Sequence, residues 1–160
     1  MVFIPYLFRF AAYVFFGLAF EIIFSVFGAE KIMGCKIDRR VPHRYLEGFV
    51  SLYMVPLYGF GILFLFEPLF SSIIAINWFL RMVIYSAILT MTEAIFGAVL
   101  DGFIGFYPWD YYASSKVRMF ERGYTLWTLI PLWGIFGYML EKYVNLMVYL
   151  SPCVVQFLRN

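Results

Sequence analysis

Glu21 and Glu93 sit inside long apolar stretches of this 160-residue chain, where a carboxylate is out of place. An ionisable group within a membrane span costs about 2.5 to 3.5 kcal/mol on insertion scales, so each glutamate needs a partner, a proton or a polar cavity. Each follows an arginine by 12 residues, in Arg9-x3-Tyr13-x7-Glu21 and Arg81-x3-Tyr85-x7-Glu93. Twelve residues of helix cover about 18 Å, so Arg and Glu of one helix cannot pair. Three states remain open to Glu21 and Glu93: neutral carboxyls bonded to Tyr or Trp, partners of loop residues such as Arg118 or Arg122, or the lining of a polar cavity. Such a cavity would hold a lipid headgroup, a proton or a small polar ligand. Arg9 and Arg81 lie at the opposite ends of their stretches, toward Glu67 and Glu141. Interhelical ion pairs of Arg9 and Arg81 with Glu67 and Glu141 would hold the helices in register.

A second distinctive run is Gly105-Phe106-Tyr107-Pro108-Trp109-Asp110-Tyr111-Tyr112. Proline pushes Tyr107 toward extended backbone, while Trp and Tyr favour the headgroup layer of a bilayer. This reads as a loop folded at the interface, either a plug anchored by its aromatics or a lid that positions Asp110 at the Glu93 cavity, with Glu21, Glu93, Trp109 and Asp110 the candidate cavity or headgroup contacts.

The elements that position these residues follow from composition. The chain is 64% hydrophobic, 23% aromatic and 14% charged, against about 45 to 50% apolar and ~25% charged in soluble domains. Its mean hydropathy of +0.83 calls for an all-α integral membrane protein. Four stretches, 2–27, 49–66, 77–100 and 124–140, approach the ~20 apolar residues that a spanning helix needs. Residues 2–27 lack a signal-peptide cleavage pattern and read as a retained helix.

The four stretches also repeat. The Arg, Tyr and Glu of the first recur 72 residues later in the third. Gly48-Phe49-x6-Pro56-Leu57-Tyr58-Gly59 recurs 75 residues later as Gly123-Tyr124-x6-Pro131-Leu132-Trp133-Gly134. The expected architecture is a four-helix transmembrane bundle built from a duplicated helical hairpin, with repeats at 1–67 and 77–142 in one domain, 1–142. Pro56 and Pro131 should kink their helices near mid-membrane by freeing the carbonyls of Leu52 and Trp127, either shaping the bundle or lining a cavity. Residues 143–160, apolar and broken by Pro152, read as a tail that continues the last helix, lies at the interface or docks a partner.

Lys31, Lys36, Arg39, Arg40 and Arg44 crowd the connection 30–47, and Lys116, Arg118 and Arg122 the connection 101–123, whereas 67–76 holds no Lys or Arg. The positive-inside rule places the two basic loops in the cytoplasm. The five basic residues of 30–47 either report that orientation alone or also attract anionic lipids, each by about 1 kcal/mol. Short second and fourth stretches suit a thin bilayer such as the endoplasmic reticulum.

A net charge of +2 without a concentrated basic face argues against nucleic acid as a partner. Two cysteines and one histidine leave no disulfide framework and no conventional zinc site, so no metal or other cofactor is expected. No Gly-x4-Gly-Lys-Ser/Thr loop is present, so this chain should bind no nucleotide.

Gly17-x3-Glu21, Leu57-Tyr58-Gly59, Glu67, Arg81-x3-Tyr85, Glu93-x3-Gly97, Pro108-Trp109-Asp110-Tyr111, Gly123, Pro131-x-Trp133 and Glu141 together resemble the transmembrane protein 229 family, grouped with the CmpB-type ABC-transporter type IV membrane proteins. The likeness spans nearly the whole chain to Glu141, with Pro-Trp-Asp-Tyr its most specific element. The connection 30–47 is longer than the family usually shows, and the tail is extra. The resemblance implies a small four-helix membrane protein, at most the membrane partner of an ATPase, and brings no activity with it.

Three functions fit these features. The favoured one is a non-enzymatic multi-pass accessory subunit that assists lipid transfer or transport in a larger membrane complex, with membrane lipids as its other partners. An oligomeric small-molecule or ion permease would use Glu21 and Glu93 as coupling groups. An intramembrane acid/base enzyme would use Glu21, Glu93 and Asp110, but no nucleophile and base pair is visible.

Overall fold

Proline opens the first helix. Pro5 stands in the first turn of α1 (Ile4–Phe27), where its missing N–H is not needed, and Gly28 follows the last turn. These coordinates, a computed structural model, describe residues 3–160, so Val2 of the first expected span lies outside the described residues. At 24 residues, α1 is about 36 Å long, enough to cross a hydrocarbon layer of about 30 Å. A short α2 (Ala29–Met33) follows and ends at Gly34, whose φ of 68° is left-handed.

The second long helix, α3 (Met54–Ile73), changes its winding. After its first turn, Leu57–Phe66 is π-helical, and Glu67–Ile73 returns to α. The wider turns give the Pro68 ring room where an α-turn would place the carbonyl of the residue four before it. Asn77 caps α4 (Trp78–Ile104) by accepting a 2.9 Å hydrogen bond from the Phe79 N–H, and Gly105, at φ 80°, ends it. Helices α1, α3 and α4 are each long and apolar enough to span a membrane. The longest helix, α5 (Leu129–Phe157), carries Glu141 and Lys142 in its middle and does not reach that standard. Among the described residues the remainder is turn and loop with two short 3-10 segments, His43–Tyr45 and Asp110–Ser114, and one isolated antiparallel bridge between Arg118 and Leu126.

Helix boundaries differ from expectation for identifiable reasons. Residues 49–53 stay outside α3 because the Phe49 N–H donates to Ser25 Oγ at 3.1 Å and the Tyr53 N–H to Ser51 Oγ at 3.3 Å. Residues before Leu129 stay outside α5 because 125–127 pair with 117–119, through Met119 N–H to Thr125 O and Trp127 N–H to Val117 O, both 3.0 Å. Of the readings open to residues 143–160, continuation of the last helix is the one seen through Phe157. Helix α5 runs unbroken through 143–157, with Val144, Met147 and Ser151 buried and the Tyr143 hydroxyl donating to Ala12 O at 2.9 Å.

The proline kinks also need correction. Pro56 is the third residue of α3 and Pro131 the third of α5, both in first turns. The carbonyls expected to be orphaned are taken up locally, Leu52 O by Val55 N–H at 3.1 Å and Trp127 O by Ile130 N–H at 3.4 Å. An interior proline costs about 3 kcal/mol, whereas one already compatible with its backbone stabilises by about 0.4 to 1 kcal/mol. Pro56→Ala should therefore lower the thermal stability of the detergent-solubilised protein slightly. A rise in melting temperature would mean that Pro56 strains the helix after all.

Helix α4 packs along α5, and α1 packs against both α3 and α5. Tyr13, Phe70 and Tyr85 are wholly buried between them. The outward faces are apolar too, with Phe15, Phe64 and Phe103 exposed by 73, 67 and 84%. Lipid or a partner helix, not water, suits such a surface.

Candidate functional site

Two clusters lie near the starts of α1 and α4, where these meet the later part of α3 and the middle of α5. In the first, Arg9 Nη1 lies 2.9 Å from Glu67 Oε1 and the Tyr13 hydroxyl donates to Glu67 Oε2 at 2.7 Å. In the second, Arg81 Nη1 lies 3.3 Å from Glu141 Oε1 and the Tyr85 hydroxyl donates to Glu141 Oε2 at 2.5 Å. Lys142 Nζ adds a 3.1 Å contact to Glu141 Oε1. The four residues expected to pair are thus brought together across helices, and in each cluster a tyrosine holds the second carboxylate oxygen.

Glu21 and Glu93 are brought together at a different place. Both line a cavity of about 230 Å³ whose walls come from all four long helices and from the loop after α4. The Tyr58 hydroxyl donates to Glu21 Oε2 at 3.4 Å. Trp133 Nε1 donates to Glu93 Oε2 at 3.1 Å, and the Thr125 hydroxyl donates to the same oxygen. Of the states open in the sequence, bonding to Tyr and Trp at a cavity wall is therefore observed. Arg118 bonds instead to the carbonyls of Ala113 and Ser115, and Arg122 lies 3.5 Å from Asp101. Beyond the carboxylates the lining is mainly apolar and aromatic, and among the described residues no Lys, Arg or His lines it. Ile135 and Met139 line the cavity and are also half exposed, so it opens on the apolar flank of α5.

The loop after α4 closes one end of this cavity. Trp109 is buried, its Nε1 donates to Tyr124 O at 2.7 Å, and its ring lines the cavity. The Tyr107 hydroxyl donates to Arg122 O. Burial, helped by the nearby charges of Asp110 and Asp101, pushes the Tyr107 phenol up to about 12. Burial likewise raises Tyr111 and Tyr112, and both line the cavity. The plug geometry is present. The lid geometry fails at one residue: Asp110 is exposed and does not line the cavity, because the short turn Asp110–Ser114 directs Tyr111 and Tyr112 inward.

The two basic connections meet at this same end. Ser115 Oγ donates to Met33 O at 2.7 Å and Thr128 Oγ1 to Ile32 O at 2.8 Å. Arg39, grouped by sequence with the lipid-attracting residues, is a strut: its Nε lies 2.9 Å from Glu30 Oε1 and its Nη2 donates to Ser25 O at 2.8 Å. That hydrogen bond holds the Glu30 carboxyl below the usual range. Lys31, Lys36, Arg40 and Arg44 remain exposed.

Tyr58, Tyr111, Tyr112, Thr125 and Trp133 were not singled out in the sequence as site residues. The repeat does carry a signal for two of them, since Tyr58 and Trp133 are equivalent positions of the hairpins. Thr125 has no such signature. Comparisons with protein-family models, with curated proteins and with solved structures return no match.

Proposed function

We propose that the chain is a non-enzymatic multi-pass membrane subunit that assists lipid transfer or transport within a larger complex. The observation that carries this is the cavity among the helices, apolar along most of its wall, acidic at Glu21 and Glu93, and open on an apolar flank at Ile135 and Met139. Such a site suits an amphiphile that enters from the bilayer with its polar end toward the carboxylates.

The same proposal takes α5 as a fourth crossing and the hairpins as a duplicated pair. Matching contacts support the pair: Arg9 with Glu67 against Arg81 with Glu141, and Tyr58 with Glu21 against Trp133 with Glu93. Gly59 against Phe10 likewise matches Gly134 against Met82. It further places both basic connections in the cytoplasm, in a thin membrane such as the endoplasmic reticulum. The architecture also suits the transmembrane protein 229 resemblance, kept as part of the proposal.

Gentle extraction from native membranes, followed by mass spectrometry of proteins and lipids, tests the function. A large stoichiometric protein and bound lipid are the expected companions. A bare monomer that conducts a solute in liposomes would replace this proposal with the permease.

A further inference from the structure

We infer that the cavity receives the ammonium headgroup of a membrane amphiphile, held between Glu21 and Glu93 and the rings of Tyr58, Tyr111, Tyr112 and Trp133. The inference rests on the lipid-handling role proposed above and names the chemistry that the site selects.

Charge is the first reason. Two glutamates line the cavity, and among the described residues no basic side chain lines it with them. In each, the hydrogen bonds fall on Oε2, from Tyr58 to Glu21 and from Thr125 and Trp133 to Glu93. Among the described residues no hydrogen bond falls on either Oε1. A phosphate or sulfate head would bring further acceptor oxygens to a wall that offers no basic side chain among the described residues. A cation or a strong donor completes the site.

The aromatic wall is the second reason. Tyr and Trp faces attract ammonium groups through the ring quadrupole, and aromatic walls with carboxylates form the cages that recognise quaternary ammonium. Tyr58, Tyr111, Tyr112 and Trp133 line this cavity beside the two glutamates.

Size and depth are the third. The ~230 Å³ cavity is smaller than the roughly 300 to 1,000 Å³ that encloses a drug-sized ligand, so it takes a headgroup and the start of a chain, not a whole lipid. The chain leaves by the opening at Ile135 and Met139, onto the apolar flank. Glu21 is six residues from the end of α1, about 9 Å along the helix, at the depth of a headgroup that has sunk below the surface.

The test uses the purified full-length protein in a neutral maltoside detergent, with tryptophan fluorescence and native mass spectrometry as readouts. The probes are hexadecyltrimethylammonium, hexadecanol and tetramethylammonium. Hexadecyltrimethylammonium should bind at least about tenfold more tightly than hexadecanol, the gain expected of a desolvated cation against aromatic rings and carboxylates, with no hydrogen bond needed. The Glu21→Gln/Glu93→Gln double variant should erase that preference while still binding hexadecanol. Tyr111→Leu should weaken ammonium binding by about two- to fivefold through the lost ring face.

Equal binding of hexadecanol and hexadecyltrimethylammonium by the wild-type protein would overturn the ammonium inference and leave the lipid-handling role standing. Binding of neither would overturn both. Tetramethylammonium binding as tightly as the long-chain probe would keep the cage but overturn its assignment to a membrane amphiphile. The wild-type comparison needs no variant, so it decides the matter even where the double variant fails to fold.

Discussion

Glu141→Ala should destabilise the folded protein by about 3 to 5 kcal/mol, the cost of leaving a buried charge without its partner. Glu141 is wholly buried and its three contacts converge from different directions: Arg81 at 3.3 Å, Lys142 at 3.1 Å and Tyr85 at 2.5 Å. Lys142 is 54% exposed and can turn to solvent, but the Arg81 side chain is only 7% exposed. Arg81 Nε already lacks a hydrogen-bond partner. Removing the carboxylate leaves a guanidinium beside an unsatisfied phenol, in a place that water cannot reach.

The partner cluster sets the scale. Glu67 is 21% exposed and Arg9 11%, so Glu67→Ala should cost distinctly less. The double variant Arg81→Met/Glu141→Leu should recover most of the loss, because an apolar pair of similar volume avoids the desolvation of both charges. Thermal melts of the four proteins in one detergent measure this. A Glu141→Ala loss no larger than that of Glu67→Ala would mean that water reaches the second cluster and that burial does not set the energetics.

These clusters were legible in the sequence, because four ionisable residues at matched spacings had few ways to be satisfied in an apolar setting. One detail was not. Tyr58 is followed by Glu67 after nine residues, but Trp133 by Glu141 after eight. In α-helix the extra residue would turn Glu67 about 100° away from its arginine. The π-helical segment Leu57–Phe66 absorbs it, so both carboxylates reach equivalent arginines. The change of offset from 75 to 74 was visible in the repeat, yet only the winding of the helix explains it.

The cavity was only half legible. Buried carboxylates announce a need for partners, which pointed to Glu21 and Glu93, but the walls depend on where helices begin. The apolar stretches run on into 49–53 and 124–128, so hydropathy placed Pro56 and Pro131 in mid-helix, while side-chain and turn hydrogen bonds put both in first turns. Asp110 stands in the sequence as a charge beside aromatics, and composition does not set which way a turn points its side chains. Tyr112 is buried and Tyr111 lines the cavity beside it, and packing these rings inward leaves Asp110 facing out.

Gly123→Ala should cost about 2 to 4 kcal/mol, from a left-handed backbone that a Cβ disfavours and from overpacking against atoms that cannot step aside. Gly123 has φ 74°, and a Cβ there would lie 2.5 Å from Ala113 N and 2.7 Å from Ala113 Cα. Those are backbone atoms of the loop that closes the cavity. The carbonyls on either side of Gly123 are both held by that loop, Arg122 O by Tyr107 and Tyr124 O by Trp109. Shifting the turn therefore loosens both aromatic anchors and with them the wall formed by Tyr111 and Tyr112. Gly105→Ala isolates the backbone contribution, since Gly105 has φ 80° but nothing within 4 Å of its Cβ position. It should lose only about 1 to 2 kcal/mol. The excess loss in Gly123→Ala, together with a red shift of tryptophan emission as Trp109 becomes solvated, would locate the damage at the plug. Equal melting temperatures for the two variants would show that the loop yields freely, and a freely yielding loop could not hold the cavity closed at that end.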